Sequence, residues 1–138
     1  MTRLSEFYGL EYQETMDVYP PLWQYLSTTE LAPMPGARIL LKGFRTHKAP
    51  MMLVTSADTD HAEKSIAALD VPWVLECIVH GDMVSRLKPS PEPYLKAAER
   101  LSVSPKDVVA FEDSGAGVAS VLAAGMFCVA PSTATFTI

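Results

Sequence analysis

The strongest constraint on this fold is a series of short apolar runs that alternate with helical patterns from residue 51 to residue 130. This alternation is typical of βα units, in which parallel strands form a sheet and helices pack against it. Because residues 108–111 are apolar at every position, we expect an interior strand with both faces covered. The sequence therefore predicts an α/β fold with four parallel strands, at 51–54, 74–79, 108–111 and 126–130.

Capping residues mark the starts of helices between these strands. Ser90 before Pro91 is a typical helix start, since the serine oxygen accepts an amide hydrogen bond and a proline at the first position needs none. Asp60 with Glu63 resembles a capping box at the start of another helix. The helix after Pro91 is expected to bury one apolar stripe, formed by Tyr94, Leu95, Ala98 and Leu101.

The first 50 residues contain no apolar run that resembles a strand, and prolines divide them into short pieces. We therefore predict a helical segment at 1–33 and an α/β core at 34–138. A helix ending near His47 is expected from apolar residues at helical spacing, namely Ala37, Leu40, Leu41 and Phe44. A last helix is expected over 117–124, before Gly125.

Length and charge exclude several classes of partner. With 138 residues the chain is long enough for one domain with a buried core. Its 11 basic and 16 acidic side chains leave no positive field for nucleic acid or anionic lipid. No apolar stretch is long enough to span a bilayer, and no signal peptide is recognisable. Cys77 and Cys128 lie in apolar runs outside metal-ligand spacing, so reduced, buried thiols and a cytoplasmic protein are predicted.

Polar side chains follow three elements of the predicted sheet. Thr55 and Ser56 come after the first strand, Lys88 lies in the loop after the second, and Glu112 and Asp113 follow the third. Ligands bind beyond the carboxyl ends of parallel strands, so we expect all five side chains at one edge. Hydroxyls, an ammonium group and two carboxylates are suited to hold a phosphate beside Mg²⁺. Four of these residues also have a structural alternative: a helix cap for Thr55, a solvated surface residue for Lys88, and polar residues at a strand end for Glu112 and Asp113, with Asp113 capping the next helix.

Three longer segments carry this pattern: MMLVTSA at 51–57, KPSPEPYLKAAERL at 88–101 and VVAFEDSGAGVASVLAAGM at 108–126. Their order resembles the second, third and fourth motifs of the haloacid dehalogenase-like (HAD) superfamily, in particular its β-phosphoglucomutase-like and phosphoglycolate-phosphatase-like branch. The resemblance implies a three-layer, Rossmann-like α/β core with a parallel sheet. It also implies that Thr55, with Ser56 beside it, binds phosphate, that Lys88 neutralises the phosphate, and that Glu112 and Asp113 bind Mg²⁺.

One motif of that superfamily is missing from this sequence. It is an Asp-x-Asp at the end of a central N-terminal strand, and its first aspartate attacks phosphorus. The one Asp-x-Asp in the chain, at 58–60, lies at a predicted helix start, so we interpret it as capping. The resemblance therefore implies a truncated core without its first central strand, preceded by a short helical cap remnant at 1–33. The nucleophile and its strand are then expected upstream of position 1.

Three functions are compatible with this sequence. The first is a HAD-like domain that is inactive alone, because covalent catalysis needs its nucleophile, but that retains phosphate and weak Mg²⁺ binding. The second is an active Mg²⁺-dependent phosphatase or phosphomutase, completed by an upstream segment or a partner chain. Both predict a phosphorylated small molecule as partner. The third is an interaction module that forms homo-oligomers through exposed strand edges.

The last residues, STATFTI at 132–138, also have two interpretations. They are rich in β-branched and aromatic residues and alternate in character, which favours a strand that fills the gap or joins a partner sheet. The alternative is a disordered tail.

Overall fold

The computed structural model describes residue 17 and residues 32–33, 35–69 and 77–130. Helices and strands alternate along these ranges, as predicted. The helices are α1 (Ala37–Thr46), α2 (Thr59–Leu69), α3 (Glu92–Leu101) and α4 (Gly115–Ala123). The strands are β1 (Leu53–Val54), β2 (Ile78–Val79), β3 (Val109–Phe111) and β4 (Phe127–Val129). Single 3₁₀ turns occur at Gly81–Met83 and Pro105–Asp107.

The four strands form two parallel pairs. β1 pairs with β2, with Leu53 opposite Ile78, and β3 pairs with β4, with Ala110 opposite Cys128. The predicted α/β fold with parallel strands is therefore confirmed. The core is also truncated as predicted, since within the described ranges no strand joins β1 to β3.

Each pair of strands has its own apolar cluster. α3 and α4 pack on the β3–β4 pair in a cluster of Tyr94, Ala98, Ala110, Val121, Ala124 and Met126. α2 packs on the β1–β2 pair in a smaller cluster of Ala62, Ile66 and Ile78, against which Leu41 and Leu53 also pack. Neither Cys77 nor Cys128 forms a disulfide, as predicted, but both are only partly buried, whereas buried thiols were predicted.

One face of the β3–β4 pair is not covered by the described part of the chain. Ala110 is 8% exposed, whereas Val109 and Phe111, which point to the opposite face, are 55% and 53% exposed. Within the described ranges the expected cover on this second face is absent, and β3 has a strand partner on one edge only. An apolar run predicts burial on both faces only where an element covers each face, and here Phe44 of α1 reaches only the ring of Phe111.

Two helices begin at other residues than the caps predict. The carboxylate that caps α2 belongs to Asp58 and not to Asp60. It accepts a hydrogen bond from the backbone amide of His61, in the first turn of the helix, at 2.9 Å. The interpretation of 58–60 as a capping segment is thus confirmed, but the capping box at Asp60 was wrong. α4 begins two residues before the predicted start, because Ser114 caps it by accepting a hydrogen bond from Gly117 N at 3.0 Å.

The predicted stripe of α3 is partly correct. Tyr94 and Ala98 are buried, but Leu95 is 42% exposed and Ala97 is buried in its place. Ser90 accepts a hydrogen bond from the Glu92 amide at 3.3 Å. Pro91 occupies the N-cap position, so Ser90 stabilises the helix start from the residue before the cap.

Several predictions concern residues outside the described ranges. They are the helical segment at 1–33, of which only residues 17, 32 and 33 are described, the first part of the second strand at 74–76, and the strand or tail at 132–138. The boundary between residues 33 and 34 stays a prediction. Among the described helices, none has the length and apolar character needed to cross a membrane.

Three carboxylates, two of them exposed and one half-buried, predict how stability depends on pH. Asp58, Asp82 and Glu92 each have a pKa below the usual range, and the largest cause is in each case a hydrogen bond from a backbone amide. Because their pKa values are lower in the folded chain than in the unfolded chain, their contribution is complete above about pH 5 and is lost as the pH falls below about 4. We expect a thermal midpoint that changes little between about pH 7 and 5 and falls below about pH 4.

Thermal melts across this pH range test the prediction. On acidification, the thermal midpoint of the triple variant Asp58→Asn, Asp82→Asn, Glu92→Gln is expected to fall less than that of the parent chain. An equal loss in both proteins would contradict the assignment to these three groups.

Candidate functional site

A cleft of about 440 Å³ lies at the carboxyl ends of β1 and β3. All five residues predicted for the site line it, namely Thr55, Ser56, Lys88, Glu112 and Asp113. Sequence spacing alone does not predict such proximity; it follows because parallel strands present their carboxyl ends at one edge.

Thr55 and Ser56 are positioned by the end of β1. The Thr55 amide donates a hydrogen bond to the Val79 carbonyl at 2.9 Å, which extends the β1–β2 ladder by one residue. The Thr55 hydroxyl accepts a hydrogen bond from the Ala57 amide at 3.1 Å and so closes a tight turn toward α2. Ser56, at the centre of this turn, is exposed and lines the cleft.

Lys88 connects the two halves of the fold at the inner wall of the cleft. Its Nζ donates to the Val54 carbonyl oxygen at 3.1 Å and also to Glu112 Oε1. Glu92 holds the preceding loop, since its carboxylate accepts hydrogen bonds from the amides of residues 85–86. The side chain of Lys88 is only 11% exposed. The alternative that Lys88 is a solvated surface residue is therefore wrong.

Glu112 is the most buried charged group of the site, at 8% exposure. Its Oε1 accepts hydrogen bonds from Lys88 and from the Tyr94 hydroxyl, and its Oε2 accepts one from the Ser114 hydroxyl at 3.1 Å. Burial raises the pKa of the Glu112 carboxyl, but Lys88 and Tyr94 outweigh burial and hold this pKa below its usual range. Glu112 is therefore ionised and fixed, and its main role in this geometry is to orient Lys88.

Asp113 differs from its neighbour in being exposed while lining the same cleft. The alternative that Asp113 caps the next helix is wrong, because Ser114 occupies that position. Of the two carboxylates in the cleft, Asp113 is the one that no hydrogen bond within the described ranges holds in place. It is thus the group most accessible to a cation.

These residues fit a weakly bound Mg²⁺ and no stronger site. Within the described ranges, no cluster of three His, Cys, Asp or Glu side chains has the geometry to hold a metal. Mg²⁺ is, however, commonly held by one or two carboxylates together with water and a substrate phosphate. Asp113 would supply one such ligand, and Glu112 would supply negative charge behind it. When bound, the ion would neutralise the charge of a phosphate in the cleft.

Two residues of the site were not predicted as such. Tyr94 was expected only as an apolar residue of α3, yet its hydroxyl donates to Glu112 and accepts from Lys88 at 3.2 Å. Ser114 was not singled out. The available signal was burial itself, since a buried tyrosine hydroxyl nearly always has a hydrogen-bond partner.

Comparison with known proteins agrees with this arrangement. A family model described as haloacid dehalogenase-like hydrolase matches residues 3–125. The chain belongs to the haloacid dehalogenase-like hydrolase family. The resemblance carried by the three sequence motifs is thereby confirmed, including its Rossmann-like α/β core.

Individual relatives lie in the predicted branch. The chain is 38% identical over 98 residues to validoxylamine A 7′-phosphate phosphatase of Streptomyces hygroscopicus subsp. limoneus, covering 71% of this chain and 46% of that protein. It is 34% identical over 128 residues to hexitol phosphatase A of Escherichia coli K12, covering 91% and 53%. A crystal structure of a putative β-phosphoglucomutase from Thermotoga maritima superimposes with a TM-score of 0.63 at 38% identity, covering 67% of this chain and 43% of that one.

The chain spans about half the length of the curated relatives it matches. The family and the fold are thus established for the matched part. A match over half of a relative does not assign the activity of the whole relative to this chain.

Proposed function

We propose that this chain forms the phosphate- and Mg²⁺-binding part of a HAD-type phosphohydrolase site, and that by itself it binds a phosphorylated small molecule without hydrolysing it. The observation that carries the proposal is the single cleft that gathers Thr55, Ser56, Lys88, Glu112 and Asp113. Two relatives are named as phosphatases of a validoxylamine phosphate and of hexitol phosphates, which supports a phosphorylated sugar or polyol as the ligand class.

Charge in the cleft supports anion binding beside a cation. Lys88 places an ammonium group at the wall between β1 and β3, and the turn at Thr55 and Ser56 supplies the hydroxyl groups of these two residues. Asp113 is the group that would hold Mg²⁺, with the remaining positions of the ion taken by water and phosphate oxygen. Phosphate and metal are therefore expected to bind more tightly together than separately.

The proposed lack of turnover rests on the two carboxylates of the cleft. A HAD-type reaction passes through an aspartyl phosphate, so it needs a carboxylate free to attack phosphorus. Glu112 is held by Lys88 and Tyr94, and we assign Asp113 to the metal. Within the described ranges no further Asp or Glu lines the cleft.

A second candidate function is an active Mg²⁺-dependent phosphatase or phosphomutase whose nucleophile comes from an upstream segment or a partner chain. One observation favours it: an apolar groove between β1 and β3 shares Leu53, Val54 and Phe111 with the cleft. A strand in that groove would end at the cleft. An Asp-x-Asp segment in the DNA preceding the codon for Met1 would decide for this candidate.

Two further properties are part of the proposal. Homo-oligomerisation through exposed strand edges is supported by the sheets themselves, since each strand has one edge without a strand partner in the described ranges. A native mass spectrum that contains only monomer would exclude it. Two free cysteines agree with a cytoplasmic location, where thiols stay reduced.

Ligand binding is tested by thermal melting of the 138-residue chain with inorganic phosphate, with MgCl₂ and with both. A ligand that binds only the folded state at 100 times its dissociation constant adds about 2.7 kcal/mol of stability. For a domain of this size we expect the midpoint to rise by several degrees, about 5–10 °C with both ligands. No rise at millimolar phosphate would overturn the binding proposal.

Variants separate binding from catalysis. Asp113→Asn is expected to abolish the Mg²⁺-dependent part of the midpoint shift, whereas Asp107→Asn, the same change at the opposite end of β3, is expected to leave it unchanged. The parent chain should show no Mg²⁺-dependent hydrolysis of p-nitrophenyl phosphate. Hydrolysis that Asp113→Asn abolishes would refute inactivity and leave phosphate binding intact.

A further inference from the structure

A short turn after β2 contacts the turn of the cleft that carries Thr55 and Ser56. It consists of residues 80–82, and its 3₁₀ geometry begins at Gly81. Among the described residues that line the cleft, none belongs to this segment. We call residues 55–57 the phosphate turn and residues 80–82 the supporting turn.

Hydrogen bonds join the two turns. The Gly81 amide donates to the Ala57 carbonyl at 2.7 Å. The Asp82 carboxylate accepts two hydrogen bonds from Thr59, one from its amide at 2.9 Å and one from its hydroxyl at 2.8 Å. Together with the ladder bond at the end of β1 already described, residues 79–82 thus hold the chain before and after the phosphate turn.

Gly81 lies where there is no room for a side chain. A methyl group at this position would be 2.7 Å from the Ser56 carbonyl oxygen and 3.2 Å from Cδ2 of Leu87. The first distance is too short for a carbon–oxygen contact, and because the oxygen belongs to the backbone, the two turns must move apart to relieve it. Leu87 precedes Lys88, so Gly81 packs against both the phosphate turn and the loop that carries the ammonium group.

We propose that Gly81 and Asp82 are positioning residues of the phosphate site, which hold the phosphate turn at a fixed distance from the Lys88 loop although neither residue lines the cleft. An anion that is bound by groups on two separate segments binds tightly only where their separation fits it, so a shift of one segment weakens binding. This inference rests on the proposed function, because it concerns the same cleft.

Removal of the Asp82 carboxylate tests the proposal in the full chain. Asp82→Ala is expected to weaken the binding of inorganic phosphate about fivefold or more, because it releases Thr59 and with it the chain after the phosphate turn. Asp82→Asn removes the charge but keeps an oxygen that accepts both hydrogen bonds, so its dissociation constant should stay within about twofold of that of the parent chain. Phosphate titration in the presence of MgCl₂, followed by amide chemical shifts below the melting range of every variant, measures these constants.

Asp58→Ala is the matched control. Asp58 and Asp82 are both exposed carboxylates at the start of α2, but Asp58 caps only the helix, through the amide of His61. Both alanine variants remove one negative charge and one helix cap, so both are expected to lower the thermal midpoint. Asp82→Ala alone is expected to weaken phosphate binding.

Three results of this titration would overturn the proposal. Equal weakening in Asp58→Ala and Asp82→Ala would assign the effect to α2 or to charge. Weakening in Asp82→Asn as large as that in Asp82→Ala would assign it to charge alone. An unchanged dissociation constant in Asp82→Ala would show that the phosphate turn keeps its position without this carboxylate.

Amide exchange tests the position of the phosphate turn without any ligand. The Ala57 amide donates to the Thr55 hydroxyl and therefore reports the closed form of this turn. In Gly81→Ala we expect the Ala57 amide to exchange at least about tenfold faster than in the parent chain. The Phe127 amide, which donates to the Val108 carbonyl at 3.1 Å, is the internal reference.

The two measurements separate this inference from the proposed function. A parent chain that binds no phosphate overturns the proposed function, and Ala57 exchange then still decides whether Gly81 fixes the turn. Phosphate binding in the parent chain with unchanged Ala57 exchange in Gly81→Ala overturns the role of Gly81 and leaves the proposed function standing. If Gly81→Ala does not fold, Ala57 exchange in Asp82→Ala makes the same decision.

Discussion

Replacing Lys88 with methionine is expected to lower the free energy of unfolding by about 3–5 kcal/mol, because it leaves the Glu112 carboxylate buried without a countercharge. Glu112 is 8% exposed and the side chain of Lys88 11% exposed, so water replaces little of the lost interaction. Methionine has a similar length and flexibility, so it keeps the packing of the side-chain stem. Urea denaturation measures the loss, provided that the slope of the transition is unchanged.

A matched variant distinguishes burial from ion pairing as such. Lys64 forms an ion pair with Asp60 at 2.6 Å, but both side chains are well exposed. Lys64→Met is therefore expected to change stability by less than about 0.5 kcal/mol. Equal losses in Lys64→Met and Lys88→Met would show that the Lys88–Glu112 pair is not desolvated.

Removing the carboxylate charge should reverse most of the loss. In the double variant Lys88→Met/Glu112→Gln, the amide oxygen still accepts the Tyr94 hydrogen bond and no buried charge remains. We expect the double variant to be more stable than Lys88→Met alone by about 2 kcal/mol or more. A double variant that is less stable than either single variant would contradict this account.

The sequence predicts the site well because its members follow strands. Thr55 and Glu112 each come directly after an apolar run, and the direction of parallel strands then places them at one edge. This placement requires only the common direction of the strands and not their order in the sheet. The position of Lys88 in a loop was harder to predict from pattern, and there the resemblance to the family's third motif supplied the information.

Other features depend on tertiary contacts that local patterns do not contain. The apolar run at 108–111 correctly predicts a strand. Whether Val109 and Phe111 are covered depends on a neighbouring element, which the run itself does not specify. Similarly, Asp113 and Ser114 are both able to cap α4, and the choice depends on which side chain reaches Gly117 N. The role of Tyr94 follows from its hydroxyl meeting Glu112, 18 residues away in sequence.

Gly117→Ala is expected to destabilise the chain by about 1–3 kcal/mol, because a methyl group at this position overlaps the Glu112 carboxylate. A carboxylate at the end of a flexible side chain usually moves aside at little cost. Here Lys88, Tyr94 and Ser114 all hold it, so moving it breaks hydrogen bonds in a buried site. The same displacement is expected to weaken phosphate binding, because Lys88 loses the partner that orients it.

Gly43→Ala is the matched control and should have the opposite sign. Gly43 lies inside α1, and a methyl group there meets no atom within 4 Å. Alanine is favoured over glycine inside a helix, so we expect a gain of up to about 1 kcal/mol.

A double-mutant cycle identifies Glu112 as the cause. In a Glu112→Ala background the space beside residue 117 is open, so the further change Gly117→Ala should cost almost nothing or stabilise α4, as Gly43→Ala does in α1. If Gly117→Ala costs the same with and without the Glu112 carboxylate, the clash is with another part of the fold. If it costs nothing in the parent chain, then Glu112 is mobile, and the fixed Lys88–Glu112 pair that underlies the proposed phosphate site is excluded.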